Sequence, residues 1–90
     1  MSEQTEIRLV EDDPNDAFFF DRSLAGVGFA GALRHLTDIE AAKNYLIRAR
    51  AAGKLPELIV ADSAVSPHGN GVALLEWQRA EEFNLPFVIL

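Results

Sequence analysis

No cysteine occurs anywhere in the 90 residues, so neither a disulfide nor a thiolate metal site is open to this chain. That agrees with a reducing compartment, and a cytoplasmic location is the expectation. No apolar run approaches the ~18 residues that a membrane-spanning helix needs. The opening Met1-Ser-Glu-Gln-Thr-Glu is polar and acidic and lacks the apolar centre of a signal peptide. Positive charge is scarce as well: eight Lys and Arg stand against fourteen Asp and Glu, for a formal net charge of −6. Arg48, Arg50 and Lys54 do cluster, but at the end of a predicted helix, where cations suit the macrodipole. Neither a nucleic-acid partner nor a membrane is therefore expected.

What is present fits one globular domain, residues 1–90, at 49% hydrophobic and 24% charged. Its most informative stretch runs from Leu55 to Gly71. Leu58 to Ala61 is a short apolar run with Ile59 and Val60, which suits a strand buried on both faces of a parallel sheet. Asp62 follows at once, and Pro67, Gly69 and Gly71 then mark a loop. A carboxylate thus stands at the carboxyl end of an interior strand, the edge where ligands bind in open α/β sheets.

The rest of the chain supplies matching elements. Ile7 to Val10 reads as a first strand ending in Glu11-Asp12-Asp13. Pro14 opens a helix where its missing N–H costs nothing, with Asp13 as N-cap and Asp16 in the first turn. Ala17, Phe20, Leu24 and Val27 recur at helical spacing and are expected to face the sheet, while Gly26 and Gly28 end the helix. Phe18, Phe19 and Phe20 cannot all face one side, so at least one is expected outside. Ala32 to Leu36 reads as a second strand, with His35 on its exposed face. Asp38 caps a second helix that turns Ile39, Ala42, Tyr45 and Leu46 inward and stops at Gly53. Gly71 leads into a third helix with Val72, Leu75 and Ala80 toward the core, and Trp77 in a packing or interface role. Phe87 to Leu90 is a fourth strand. The order βαβαβαβ with short loops implies right-handed crossovers and a doubly wound, flavodoxin-like parallel sheet.

In such a sheet, of order 2-1-3-4, the first and third strands are neighbours and their carboxyl ends meet at the switch point. Glu11, Asp12 and Asp62 would then converge. Three carboxylates so close cannot all remain ionised without a counter-charge. A hard divalent cation with oxygen ligands answers that need, and Mg²⁺ suits a site that handles phosphate. An aspartate beside such a cation can attack a phosphoryl group.

These residues resemble the receiver domain of two-component response regulators. The resemblance rests on Leu-Val-Glu-Asp-Asp-Pro-Asn-Asp after strand one, on Leu-Ile-Val-Ala-Asp at strand three, and on Pro67 five and Gly71 nine residues beyond Asp62. It implies that Asp62 is the phosphoacceptor, that Glu11 and Asp12 hold Mg²⁺ with Asp13 a lesser third acid, and that the backbone carbonyl of Ala64 is a further metal ligand. It implies as partner a histidine kinase or histidine phosphotransfer protein, and a phosphorylatable switch in place of an enzyme that turns over a substrate.

The chain departs from the family pattern in several places. Ser63 and Ser66 stand where large apolar or aromatic residues are usual, and Ala64 can neither orient a water nor act as acid or base. The sequence given stops at Leu90, before the strand-four hydroxyl residue and the strand-five lysine of a receiver. The expectation is therefore a receiver fold lacking the last two helices and fifth strand, with strand four an open edge that invites a homodimer. The alternative function is a receiver-like protein-interaction module that does not signal. A haloacid-dehalogenase-type phosphatase would want a second aspartate where Ala64 stands. An EF-hand fails at Pro14. His68 reads as a surface histidine of the loop.

Overall fold

The computed structural model describes residues 5–29, 31–62 and 70–90. Among these residues four parallel strands, β1 (Glu6–Val10), β2 (Ala32–Leu36), β3 (Leu58–Ala61) and β4 (Phe87–Ile89), alternate with three helices, α1 (Pro14–Gly26), α2 (Ile39–Ala52) and α3 (Gly71–Ala80). The sheet order is β2-β1-β3-β4, all pairs parallel. This is the doubly wound topology that the alternating pattern implies.

Each helix starts where a short polar side chain can satisfy a free backbone N–H. The Asp13 carboxylate accepts from the N–H of Asn15 at 2.8 Å, with Pro14 in the first helical position. Asp38 accepts from Ala41 at 2.7 Å and Asn70 from Ala73 at 2.8 Å. Gly53 ends α2 in the left-handed region at φ 68°, a conformation that costs glycine nothing.

The sheet is covered on both faces, as the apolar runs require. Val10, Ile59 and Ala61 pack on one face with Ile39, Ala42 and Leu46 of α2 and Leu74 of α3, joined by Phe83. Ile7, Leu9 and Val60 face the other way, onto Ala17, Phe20 and Leu24 of α1. Each of the fully buried leucines and isoleucines contributes about 1.5–3 kcal/mol by leaving water. Phe20 turns inward while Phe18 and Phe19 stay largely exposed, so the Phe triplet divides as helical geometry demands.

Three inward assignments are corrected. Val27 is exposed: α1 stops one residue before it, the chain turns through Gly28 at φ 82°, and Phe29 folds back onto the α1-side core instead. Val72 and Ala80 are also exposed, and Gly71, Leu74 and Gln78 form the buried stripe of α3. The helix is phased by its tight start against β3. Gln78 tolerates burial because its Oε1 accepts the N–H of Leu85 at 3.0 Å, tying the α3–β4 connection to the helix. Trp77 packs against Phe83, their ring centroids 5.3 Å apart. Arg50 lies over the Phe83 ring and donates to the carbonyl of Glu81 at the end of α3.

Among the described residues, no helix is long and apolar enough to cross a membrane.

Candidate functional site

Strand register brings the acids together. Val10 pairs with Ala61 at the last step of the β1–β3 ladder. Asp62 then donates its N–H to the carbonyl of Val10 at 3.1 Å, and Glu11 donates its own to the carbonyl of Leu36 at 3.0 Å. Glu11 and Asp62 are therefore the first residues past the ends of two adjacent strands, at one level of the sheet. Two neighbouring strands in parallel register deliver two carboxylates to one place.

A third carboxylate arrives from α1. One carboxylate oxygen each from Glu11, Asp16 and Asp62 lie within 4.8 Å of one another. Asp16 occupies the third helical position after the Asp13 cap, and helical side chains lean back toward the amino terminus, over the strand ends. The sequence marks Asp16 only as a first-turn anion; its spacing three residues beyond the cap is the signal that points it at the site. Asp12 is exposed and does not belong to this group of three, although it neighbours Glu11 in the chain. Asp13 serves the helix as its cap, and its N–H donates to Glu11 Oε1 at 3.1 Å.

The environment within the group is uneven. Glu11 is only 3% exposed, whereas Asp16 is open to solvent and Asp62 half-buried. Burial, a hydrogen bond with Asp62 and the charges of Asp62 and Asp16 push the Glu11 carboxyl up from 4.5 to about 7, against the lowering effect of the Asp13 N–H. At neutral pH a proton thus holds part of the charge that three ionised acids would otherwise crowd together. His35 donates through Nε2 to the backbone carbonyl of Glu11, fastening the exposed edge strand to the site.

The donor set is hard, anionic and all oxygen, which fits a small divalent cation better than a soft metal. The partial protonation of Glu11 is the same deficit of positive charge seen from the protein's side. Glu11 and Asp62 of the sequence-derived ligands are present in the group, with Asp16 added.

Gly71 lies beside the site and not in a remote loop. A β-carbon there would stand 2.7 Å from the Asp62 carbonyl oxygen and 3.2 Å from the Ala61 β-carbon. Only glycine lets α3 start this close to the end of β3. The Ala64 carbonyl, Pro67, Ser63, Ser66 and His68 lie outside the described residues.

No protein-family model matches the chain, and no curated protein sequence does. Solved structures do. The bacteriophytochrome response regulator RtBRR is similar with a TM-score of 0.83 and 27% identity over 97% of this chain and 55% of its own. The MaeR response regulator bound to beryllium trifluoride gives 0.79 and 25%, over 97% of this chain and 66% of its own. The phosphorylated cyanobacterial phytochrome response regulator RcpA gives 0.81 and 24%, over 97% and 64%. This chain spans about two thirds or less of the length of each. The chain therefore has the receiver fold of response regulators, and the resemblance carried by its acidic strand ends extends over nearly its whole length.

Proposed function

We propose that this chain is a phosphoacceptor receiver that takes a phosphoryl group onto Asp62 and acts as a signalling switch. The observation that carries this reading is the convergence of Glu11, Asp16 and Asp62 at the carboxyl edge of a receiver-type sheet. Asp62 is the acceptor because it ends the central strand, half-buried, with its backbone fixed by Val10 on one side and Gly71 on the other. In the transfer, a carboxylate oxygen of Asp62 forms a bond to phosphorus while the bond from phosphorus to the donor's leaving nitrogen or oxygen breaks. Glu11 and Asp16 are not nucleophiles here. Their charge, with that of Asp62, makes the site one that binds a cation before it tolerates an incoming anion.

Mg²⁺ is the resident ion we propose, held by Glu11 and Asp62 together with Asp12 or Asp16; when bound it would neutralise charge on the acceptor and on the phosphoryl oxygens. The donor in the cell would be a histidine kinase or histidine phosphotransfer protein, with the chain in the cytoplasm.

Intact-mass measurement after incubation with acetyl phosphate and Mg²⁺ tests the reading. One phosphoryl group is expected on the wild-type chain and none on Asp62→Asn. Equal uptake by Asp62→Asn would remove Asp62 as acceptor. No uptake by a folded wild-type chain would favour the interaction module that does not signal.

A further inference from the structure

The interior strand β1 carries polar residues where a strand covered on both faces is expected to be apolar. Ile7 and Leu9 meet the α1-side core, but Glu6 and Arg8 point to the α2 side. There they form one unit with Tyr45. Arg8 Nε donates to the Glu6 carboxylate, the Tyr45 hydroxyl donates to the same carboxylate at 3.2 Å, and the Arg8 guanidinium lies 3.8 Å from the Tyr45 ring centroid. Arg8 is only 17% exposed and Glu6 30%.

This unit forms part of the wall of a cavity of about 690 Å³ between α2 and the β1–β2 side of the sheet. Its other wall is one flank of α2, where Ala41, Asn44, Arg48 and Ala52 recur at helical spacing. The small alanines leave room, and the flank runs for about 16 Å at the helical rise per residue. Leu36 closes one side, and Lys54 contributes a further cation just past the end of α2. Three cations stand against the single Glu6 carboxylate, in a chain whose net charge is −6. The cavity size and its mixture of apolar surface with a few convergent polar groups are those of a small-molecule site.

We propose that this groove binds a small organic anion, an apolar body ending in a carboxylate. The alanine flank and Leu36 would take the apolar body, and Arg48 and Lys54 the carboxylate. Arg8, held flat by Tyr45 and Glu6, presents a guanidinium whose place is fixed before a ligand arrives, which lowers the ordering cost of binding. The groove is lined by none of the three carboxylates at the end of β1 and β3, so its occupancy can be read without phosphorylation.

The test is a titration of the isotope-labelled 90-residue chain, followed by amide NMR, with hexanoate, its neutral counterpart hexanol, and inorganic phosphate. Hexanoate is expected to give saturable shifts at Ala41, Asn44, Tyr45 and Arg48, with hexanol and phosphate each weaker by about tenfold or more. The double variant Arg48→Ala/Lys54→Ala alters two exposed side chains, so the rest of the spectrum should be preserved. It is expected to lose hexanoate affinity by about tenfold. No saturable shift with hexanoate, or undiminished affinity in the double variant, would overturn the site. Hexanol binding as well as hexanoate would overturn the anionic class, and phosphate binding as well would overturn the apolar body.

Discussion

Gly71 is pressed against Asp62: a β-carbon at position 71 would lie 2.7 Å from the Asp62 carbonyl oxygen. The first residue of α3 and the proposed phosphoacceptor therefore cannot move independently. The obstructing atom is backbone, which no side-chain rotation can clear.

Gly71→Ala should accordingly displace either α3 or the end of β3. Forcing a methyl group into a packed contact of this kind costs about 1–3 kcal/mol. Urea unfolding would show that loss as a lower midpoint, and phosphoryl uptake from acetyl phosphate should slow. An unchanged midpoint with unchanged uptake would mean that the contact is not maintained in solution.

Glu11 should make stability depend on pH in an uncommon direction for an acid. Its carboxyl is raised to about 7 in the folded chain, mainly by burial, from the ordinary 4.5. The folded state then holds the proton more tightly than the unfolded one. The Glu11 contribution is fully present below pH ~4.5 and is lost as pH rises through about 7, by an amount on the order of a few kcal/mol. Melting temperatures measured across that window without divalent metal should fall with pH in the wild type and much less in Glu11→Gln. Mg²⁺ affinity should move the opposite way, since the cation competes with the proton. Parallel pH profiles for the two chains would show that Glu11 does not titrate there.

Asp16 adds repulsion to this site from the first turn of α1. Asp16→Asn should lower the Glu11 titration midpoint below about 7, because one of the charges that raises it is gone. The same change should weaken Mg²⁺ binding, and comparison with Asp12→Ala would reveal which acid joins Glu11 and Asp62 at the ion. Carbon-detected NMR titration of the carboxyl groups is the direct measurement. A Glu11 midpoint unmoved by Asp16→Asn would place Asp16 outside the electrostatic group.

Gln78 is 1% exposed and accepts the Leu85 N–H through its side chain. Gln78→Leu keeps the volume nearly constant and strands that N–H in the interior. A destabilisation of about 1–3 kcal/mol is expected, visible as a lower urea midpoint and faster amide exchange at Leu85. Stability equal to wild type would mean that Leu85 finds another acceptor.

Much of this molecule is legible in its sequence because the signals are local. The cap of α1 follows from Asp13-Pro14, that of α2 from Asp38, and the buried central strand from Leu-Ile-Val-Ala before Asp62. The meeting of Glu11 and Asp62 is also foreseeable, because two acids that each follow the end of a strand are placed side by side once those strands are neighbours in parallel register. Tertiary structure alone settled the phase of α3, where the close start of Gly71 against Asp62 turns Gln78 inward, its oxygen taken up by the Leu85 N–H, and leaves Val72 outside. It also settled the membership of Asp16 in the acidic group, which depends on how α1 crosses the strand ends. The Glu6–Arg8–Tyr45 unit lies furthest from anything sequence periodicity could show. Its members are 39 positions apart at the widest, and an alternating strand read alone would put Glu6 and Arg8 in solvent. Only the packing of α2 over the sheet turns them into the wall of a groove.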